Sequence, residues 1–178
     1  MSRSDSEAGR PHFTVIYGVS RDCPEAQAYE GTINWVQVST VEEMQEQSNN
    51  SPGYVVIFLQ DDEFSSNTTL GLVVEYIDKN PHVGGFYADG FLKKTRQYFP
   101  SFTPGMFDAH TSIVDTPLFF KAALKPKFNP NLQHLFHYDI IRKIAKQIPV
   151  YHIAQPLMDT SKSNSFNFQY ELSLIDTV

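Results

Sequence analysis

Cysteine is nearly missing from this chain of 178 residues: Cys23 stands alone, so no internal disulfide can form and a reducing compartment is the expected setting. Long apolar runs are missing too. The run Tyr54–Leu59 spans six residues, far short of the ~20 that a bilayer-spanning helix needs. Basic residues are in the minority, 14 Lys and Arg against 20 Asp and Glu, for a formal charge of −6. That balance argues against a general nucleic-acid binder, whose affinity comes from neutralising phosphates. A small anionic ligand stays compatible, provided a divalent ion supplies positive charge locally. No G-x-G-x-x-G, P-loop or G-x-S-x-G occurs, so dinucleotide, nucleoside-triphosphate and α/β-hydrolase chemistry lack their signatures. The histidines show no zinc spacing, and there is no internal repeat. Residues 1–11 are polar, without an apolar h-region, and read as a disordered tail rather than a secretory signal. A soluble, cytoplasmic protein is expected.

What the chain has is an ordinary globular balance, 41% hydrophobic and 19% charged, with 14 Phe and 9 Tyr. Those aromatics suffice to fill a core and to line a sugar site. The length predicts one domain, over residues 12–160, followed by a polar flap and a C-terminal tail over residues 161–178. Phe13–Val19 reads as a first strand, and Gly18 near its end lets a ligand approach the backbone. Ile33–Val38 reads as a second. Thr40 and Glu43 form a capping box for a helix to about Ser48. Leu70, Val73, Val74 and Ile77 share one face of another helix. Phe91–Met106 reads as loop. Asp115-Thr116-Pro117, with proline at the first helical position, predicts a helix over Leu118–Leu124. Ile140, Ile141, Ile144 and Ile148 mark a helix near Tyr138–Gln147, and Val150–Ala154 a last short strand. The pattern predicts an α/β fold, an open twisted mixed sheet flanked by helices.

The most informative stretch is Tyr54–Asp89. Val55, Val56, Ile57, Phe58 and Leu59 form the unbroken apolar run of a strand buried on both faces. It stops abruptly at Gln60, Asp61, Asp62 and Glu63. Carboxylates just past the carboxyl end of such a strand lie where open α/β sheets bind ligands. They are hard oxygen donors suited to Mg²⁺ or Mn²⁺, or simply an acidic turn.

Phe58-Leu59-Gln60-Asp61-Asp62-Glu63, then Asn67-Thr68-Thr69-Leu70 opening a helix, then Pro81-His82-Val83-Gly84 leading to Tyr87-Ala88-Asp89, resembles the middle of family 2-like glycosyltransferases of the GT-A fold. The family's usual text there is close to F-L-D-x-D-D. The resemblance continues loosely through Tyr138-Asp139 and Val150–Asp159 and is weak before Gly53. It implies an unusually compact, single-domain enzyme, of the reduced kind encoded by some bacteriophages and then working in the host cytoplasm. The donor would be a nucleoside-diphosphate sugar, UDP-linked by preference. Mn²⁺ or Mg²⁺ would be the cofactor. Transfer would go with inversion to a hydroxyl acceptor on a saccharide, a lipid-linked group or a protein.

By the same resemblance Asp62 is the metal ligand and Gln60, with Asp61, sits near the ribose. A register slip would make Asp61 and Glu63 the pair instead. Asp159, seven residues after His152, takes the place of the family's second metal ligand, where relatives often carry histidine; a surface or capping role is the alternative. Lys162 falls near the diphosphate or is a solvated lysine. Gly18, Ser20 and Arg21 match the nucleobase position. Asp139 is the candidate base for the acceptor hydroxyl, or else a helix cap. Asp89 matches a strand-end carboxylate that organises the site, and Phe107, Asp108 and His110 lie where relatives shape the acceptor pocket. Gln60 for the usual Asp and Asp159 for His are also compatible with a nucleotide-sugar-binding or structural protein that keeps the fold without transfer. Donor turnover separates these readings.

Overall fold

The computed structural model describes residues 9–19, 27–59, 62–92, 94–107, 116–132, 134–160 and 168–175. The elements in order are β1 (Phe13–Gly18), β2 (Ile33–Val38), α1 (Val41–Asn50), β3 (Tyr54–Phe58), β4 (Glu63–Phe64), α2 (Thr69–Lys79), β5 (Gly85–Leu92), β6 (Thr95–Gln97), β7 (Leu118–Lys121), α3 (Phe136–Ala145), β8 (Val150–Thr160) and α4 (Phe168–Ile175). The strands form one mixed sheet in the order β2-β1-β3-β7-β5-β8-β4, with β6 paired to β5. β1 is parallel to β2 and to β3, and β5 is parallel to β8. β7 runs antiparallel between β3 and β5, and β4 is antiparallel to β8.

The period of two along each strand divides the core between the two sheet faces. Val55 and Ile57 of β3, Tyr87 of β5 and Leu118 and Phe120 of β7 join one cluster with Met44 of α1 and Ile140, Ile141 and Ile144 of α3. Tyr54, Val56, Phe58, Phe86, Ala88 and Phe119 join the other, with Leu70, Val73 and Ile77 of α2. Helices therefore cover both faces, which is why β3 reads as an uninterrupted apolar run. The Thr40 hydroxyl accepts the Glu43 N–H at 3.1 Å, and the Glu43 carboxylate accepts the Ser39 N–H at 2.6 Å, so the expected box does open α1. Between α1 and β3 the chain turns at Gly53, where φ is +72° and a Cβ would lie 2.4 Å from the His12 carbonyl oxygen; only glycine fits.

Three expectations are corrected. The helix expected over Leu118–Leu124 is instead strand β7 followed by a single 3₁₀ turn, Ala122–Leu124. Leu118, Phe119 and Phe120 are all buried, and their alternation sends apolar side chains into both halves of the core. A short helix could not fill two layers in this way. Pro117 precedes the ladder, where its missing N–H interrupts no strand pairing. The region Phe91–Met106 is not wholly loop: β5 runs on to Leu92 and turns back into β6 through Lys94, at φ 69°. The last strand also continues past Ala154. Its pairing with β5 jumps from Ala88↔Ile153 to Asp89↔Pro156, a bulge that accommodates proline in a strand.

Residues 161–167 of the expected flap, and residues 1–8 of the expected tail, lie outside the described residues. Beyond the flap, α4 packs on the body, with Ile175 1% exposed. No helix among the described residues is long and apolar enough to cross a membrane.

Phe119 is fully buried, with its ring stacked 6.2 Å from that of Phe64 and edge-on to Phe13 at 6.3 Å. Phe119→Ala should lower stability by about 3–5 kcal/mol, read as a shift in the urea midpoint at unchanged slope. A loss below about 1 kcal/mol would contradict this packing.

Candidate functional site

The parallel strands β1 and β3 point their carboxyl ends the same way, and β4, which follows β3, pairs with the end of β8. Gly18 closes β1, level with Val38 of β2. Ser20, Arg21, Gln60, Asp61, Asp108, His110 and Lys162 lie outside the described residues, so the expectations placed on them are unanswered here.

After β3 the backbone closes a tight turn in which Asp62 N–H donates to the Leu59 carbonyl at 2.7 Å. The Asp62 carboxylate folds back over this turn, and its Oδ2 accepts the Leu59 N–H at 2.9 Å. The same oxygen meets Nε2 of His137, 2.8 Å away on the first turn of α3. Both side chains are almost wholly buried, at 3% and 2% exposure. β4 begins directly after Asp62, and its pairing puts Glu63 opposite Asp159 of β8. Asp159 Oδ1 is buried without a hydrogen-bond partner among the described residues. Burial pushes the Asp159 carboxyl above its ordinary value.

The structure thus brings Asp62 and Asp159 onto neighbouring strand ends, and adds His137, which the sequence did not single out. Asp139 is placed elsewhere. Two residues further along a helix is about 200° around its axis, and there Asp139 Oδ2 pairs with Lys143 Nζ at 2.6 Å. Lys143 also donates to the Lys127 carbonyl. Burial raises the Asp139 pKa, offset in part by Lys143 and by the charges of Arg142 and Lys146. Nor does Asp139 cap α3, whose N-cap residue is Leu135. The capping is done from α4: the Glu171 carboxylate accepts the N–H of Leu135 at 2.9 Å, the N–H of His134 at 3.0 Å, and faces His134 Nδ1 at 2.9 Å.

Asp89 organises a second buried group. Its Oδ1 accepts the Phe99 N–H at 3.0 Å and faces His152 Nε2 at 2.8 Å, while Arg96 approaches Oδ2 at 3.4 Å. The His152 ring stacks on Tyr87, 5.1 Å between centroids. Asp89 therefore ties β6 and the chain after it to the sheet. Phe107 is buried beside Phe102 and Tyr138, and its carbonyl accepts the Tyr138 hydroxyl at 3.3 Å.

Among the described residues no three His, Cys, Asp or Glu side chains form a ready-made metal cage. The chemistry present still fits a hard divalent ion: Asp62 and Asp159 offer oxygen donors, and Asp159 Oδ1 has no hydrogen-bond partner among the described residues. Mg²⁺-type sites commonly need only one or two carboxylates, the rest coming from phosphates and water.

The sequence matches no protein-family model and no curated protein. Solved structures do match. The S. aureus protein TarS, residues 1–349 in complex with UDP-GlcNAc, superposes with a TM-score of 0.60 over 94% of this chain at 11% identity. TarS in complex with UDP superposes at 0.62 over 92% of this chain at 12% identity. The chain has a GT-A-like fold. The chain spans 61% and 64% of the length of those two TarS chains.

Within it, the Glu171 clamp gives a pH-dependent contribution. Burial alone would raise the Glu171 pKa, but hydrogen bonds from the His134 side chain and from the Leu135 and His134 N–H groups outweigh it and hold the carboxyl below its ordinary range. A depressed carboxylate stabilises the fold above its unfolded pKa, and that stability is lost as pH falls through the lower folded value. Glu171→Gln should lower Tm at neutral pH by an amount equivalent to about 1–3 kcal/mol, and the gap to the parent should narrow under acid. Parallel Tm curves from neutral to strongly acidic pH would count against the clamp.

Proposed function

We propose that the protein transfers a sugar from a nucleoside-diphosphate donor, UDP-linked by first choice, to a hydroxyl acceptor. The reading extends to a reduced family 2-like enzyme acting with inversion and with Mn²⁺ or Mg²⁺. One observation carries it: Asp62 lies at the carboxyl end of β3, in a fold that superposes on structures solved with UDP and UDP-GlcNAc. Ligands of open α/β sheets gather at that edge.

In this mechanism the turn Leu59–Asp62 and the facing end of β8 hold the donor's diphosphate. Asp62 and Asp159 are the residues that would hold the cation. Lewis-acid neutralisation of the departing diphosphate is the chemistry that such an ion supplies when bound. Gly18 leaves room for the nucleobase beside β1. The acceptor enters over Phe107 and the chain held by Asp89, and its hydroxyl needs a carboxylate to take the proton as the oxocarbenium-like sugar is attacked. Asp139, whose burial raises its basicity, is the residue proposed for that step; it is turned from Asp62 and held by Lys143, so the step requires that pair to open.

A second reading, binding of a nucleotide sugar without transfer, is favoured by one observation, the engagement of Asp139 by Lys143. The buried pair would then serve only to hold α3.

Titration calorimetry should detect UDP binding with Mn²⁺ that disappears in EDTA and in Asp62→Ala, and that weakens at least 10-fold in Asp159→Asn. Nucleotide binding that ignores both carboxylates would place the donor elsewhere. With a donor that turns over, Asp139→Asn should lower kcat by about 10²–10⁴-fold at unchanged UDP affinity. Unchanged kcat with a reduced Tm would make the Asp139–Lys143 pair structural.

A further inference from the structure

We propose that His137 is the positioning residue of the donor site, holding the Asp62 carboxylate in the orientation in which it receives the diphosphate and its cation. The inference rests on the donor-site reading above and adds to it a residue from a different layer of the fold.

Two of the hydrogen bonds that restrain Asp62 differ in origin. The Leu59 N–H belongs to the same turn and moves with it. His137 lies 75 residues away on α3 and ties the turn to the helical layer. An ionised carboxylate can only accept hydrogen bonds, so Nε2 is the nitrogen that carries the proton and donates. At 2.8 Å, with both partners at most 3% exposed, this bond is sheltered from competing water.

The ring itself is well anchored. Phe136, Tyr138, Ile140 and Ile141 bury the neighbouring positions of α3. Glu171 holds the N–H groups of His134 and Leu135 just before the helix. Helical geometry allows one residue of the pair 137 and 139 to face Asp62, and that residue is His137. Ligating carboxylates are in general oriented by outer hydrogen-bond donors whose loss weakens metal affinity 10- to 100-fold. His137 occupies that place, whereas Asp139 is turned to Lys143.

The test compares His137→Gln, which keeps an N–H donor, with His137→Met, which fills similar space without one. Mn²⁺ and UDP are titrated by calorimetry and by the Mn²⁺ electron-spin signal, neither of which needs turnover, after melting curves have established that each variant folds. His137→Met should weaken Mn²⁺-dependent UDP binding by about 10- to 100-fold, while His137→Gln stays within a few-fold of the parent. Parent-like affinity in His137→Met, or an equal loss in both variants, overturns the proposal. Should His137→Met not fold, His137→Gln against the parent decides, since a loss of about 10-fold or more there shows that the donor is not what matters. A parent that binds no nucleotide removes the donor-site reading and this proposal with it. A parent that binds, beside an unaffected His137→Met, removes the proposal alone.

Discussion

Strand β7 is the constraint on which the rest depends. Two parallel blocks, β2-β1-β3 on one side and β5-β8 on the other, are joined in the sheet by it: β7 pairs Tyr54 with Lys121 on the β3 side and Phe86 with Phe119 on the β5 side. Its three apolar residues project alternately into both cores, so the strand aligns the layers above and below the sheet as well as the two blocks within it. Asp62 follows a strand of the first block and Asp159 belongs to the second. Their approach is a property of how β7 sets the two blocks, and β4 only closes the gap.

Much of this fold was legible in residue order. The unbroken run at β3, the capping box before α1, the apolar stripe of α2 and the isoleucines of α3 each state their element locally. β7 was not legible, because Thr116-Pro117 followed by leucine and aromatics satisfies a helix start as well as a strand start. What decides between them is burial on both faces, a tertiary fact. The bulge at Ala154-Gln155 hid the length of β8 for the same kind of reason: a proline in a strand is tolerable only where the ladder has already been broken.

For the site, residue order located the acidic turn and the strand-end carboxylates Asp89 and Asp159, but it could not assign α3. Histidine and aspartate two apart look equivalent on paper, and the carboxylate was the more natural choice for a base. The difference lies in the angle around the helix axis, which is set by which residues of α3 the core takes. Once Phe136, Ile140 and Ile144 are buried, His137 is directed at Asp62 and Asp139 at Lys143. Charge chemistry nominated the candidates, and packing then sorted them.

The clamp of Glu171 makes the start of α3 depend on α4. The N–H groups of His134 and Leu135, just before α3, are met by Glu171, 36 positions downstream of Leu135. Closing a connection of that length is an entropic cost that local helix contacts do not share. The start of α3, whose first turn bears His137, is therefore tied to a distant segment of the chain as well as to its own helix. Trimming the chain back to β8 would remove Glu171 and leave the N–H groups of His134 and Leu135 without it, just before the turn that bears His137.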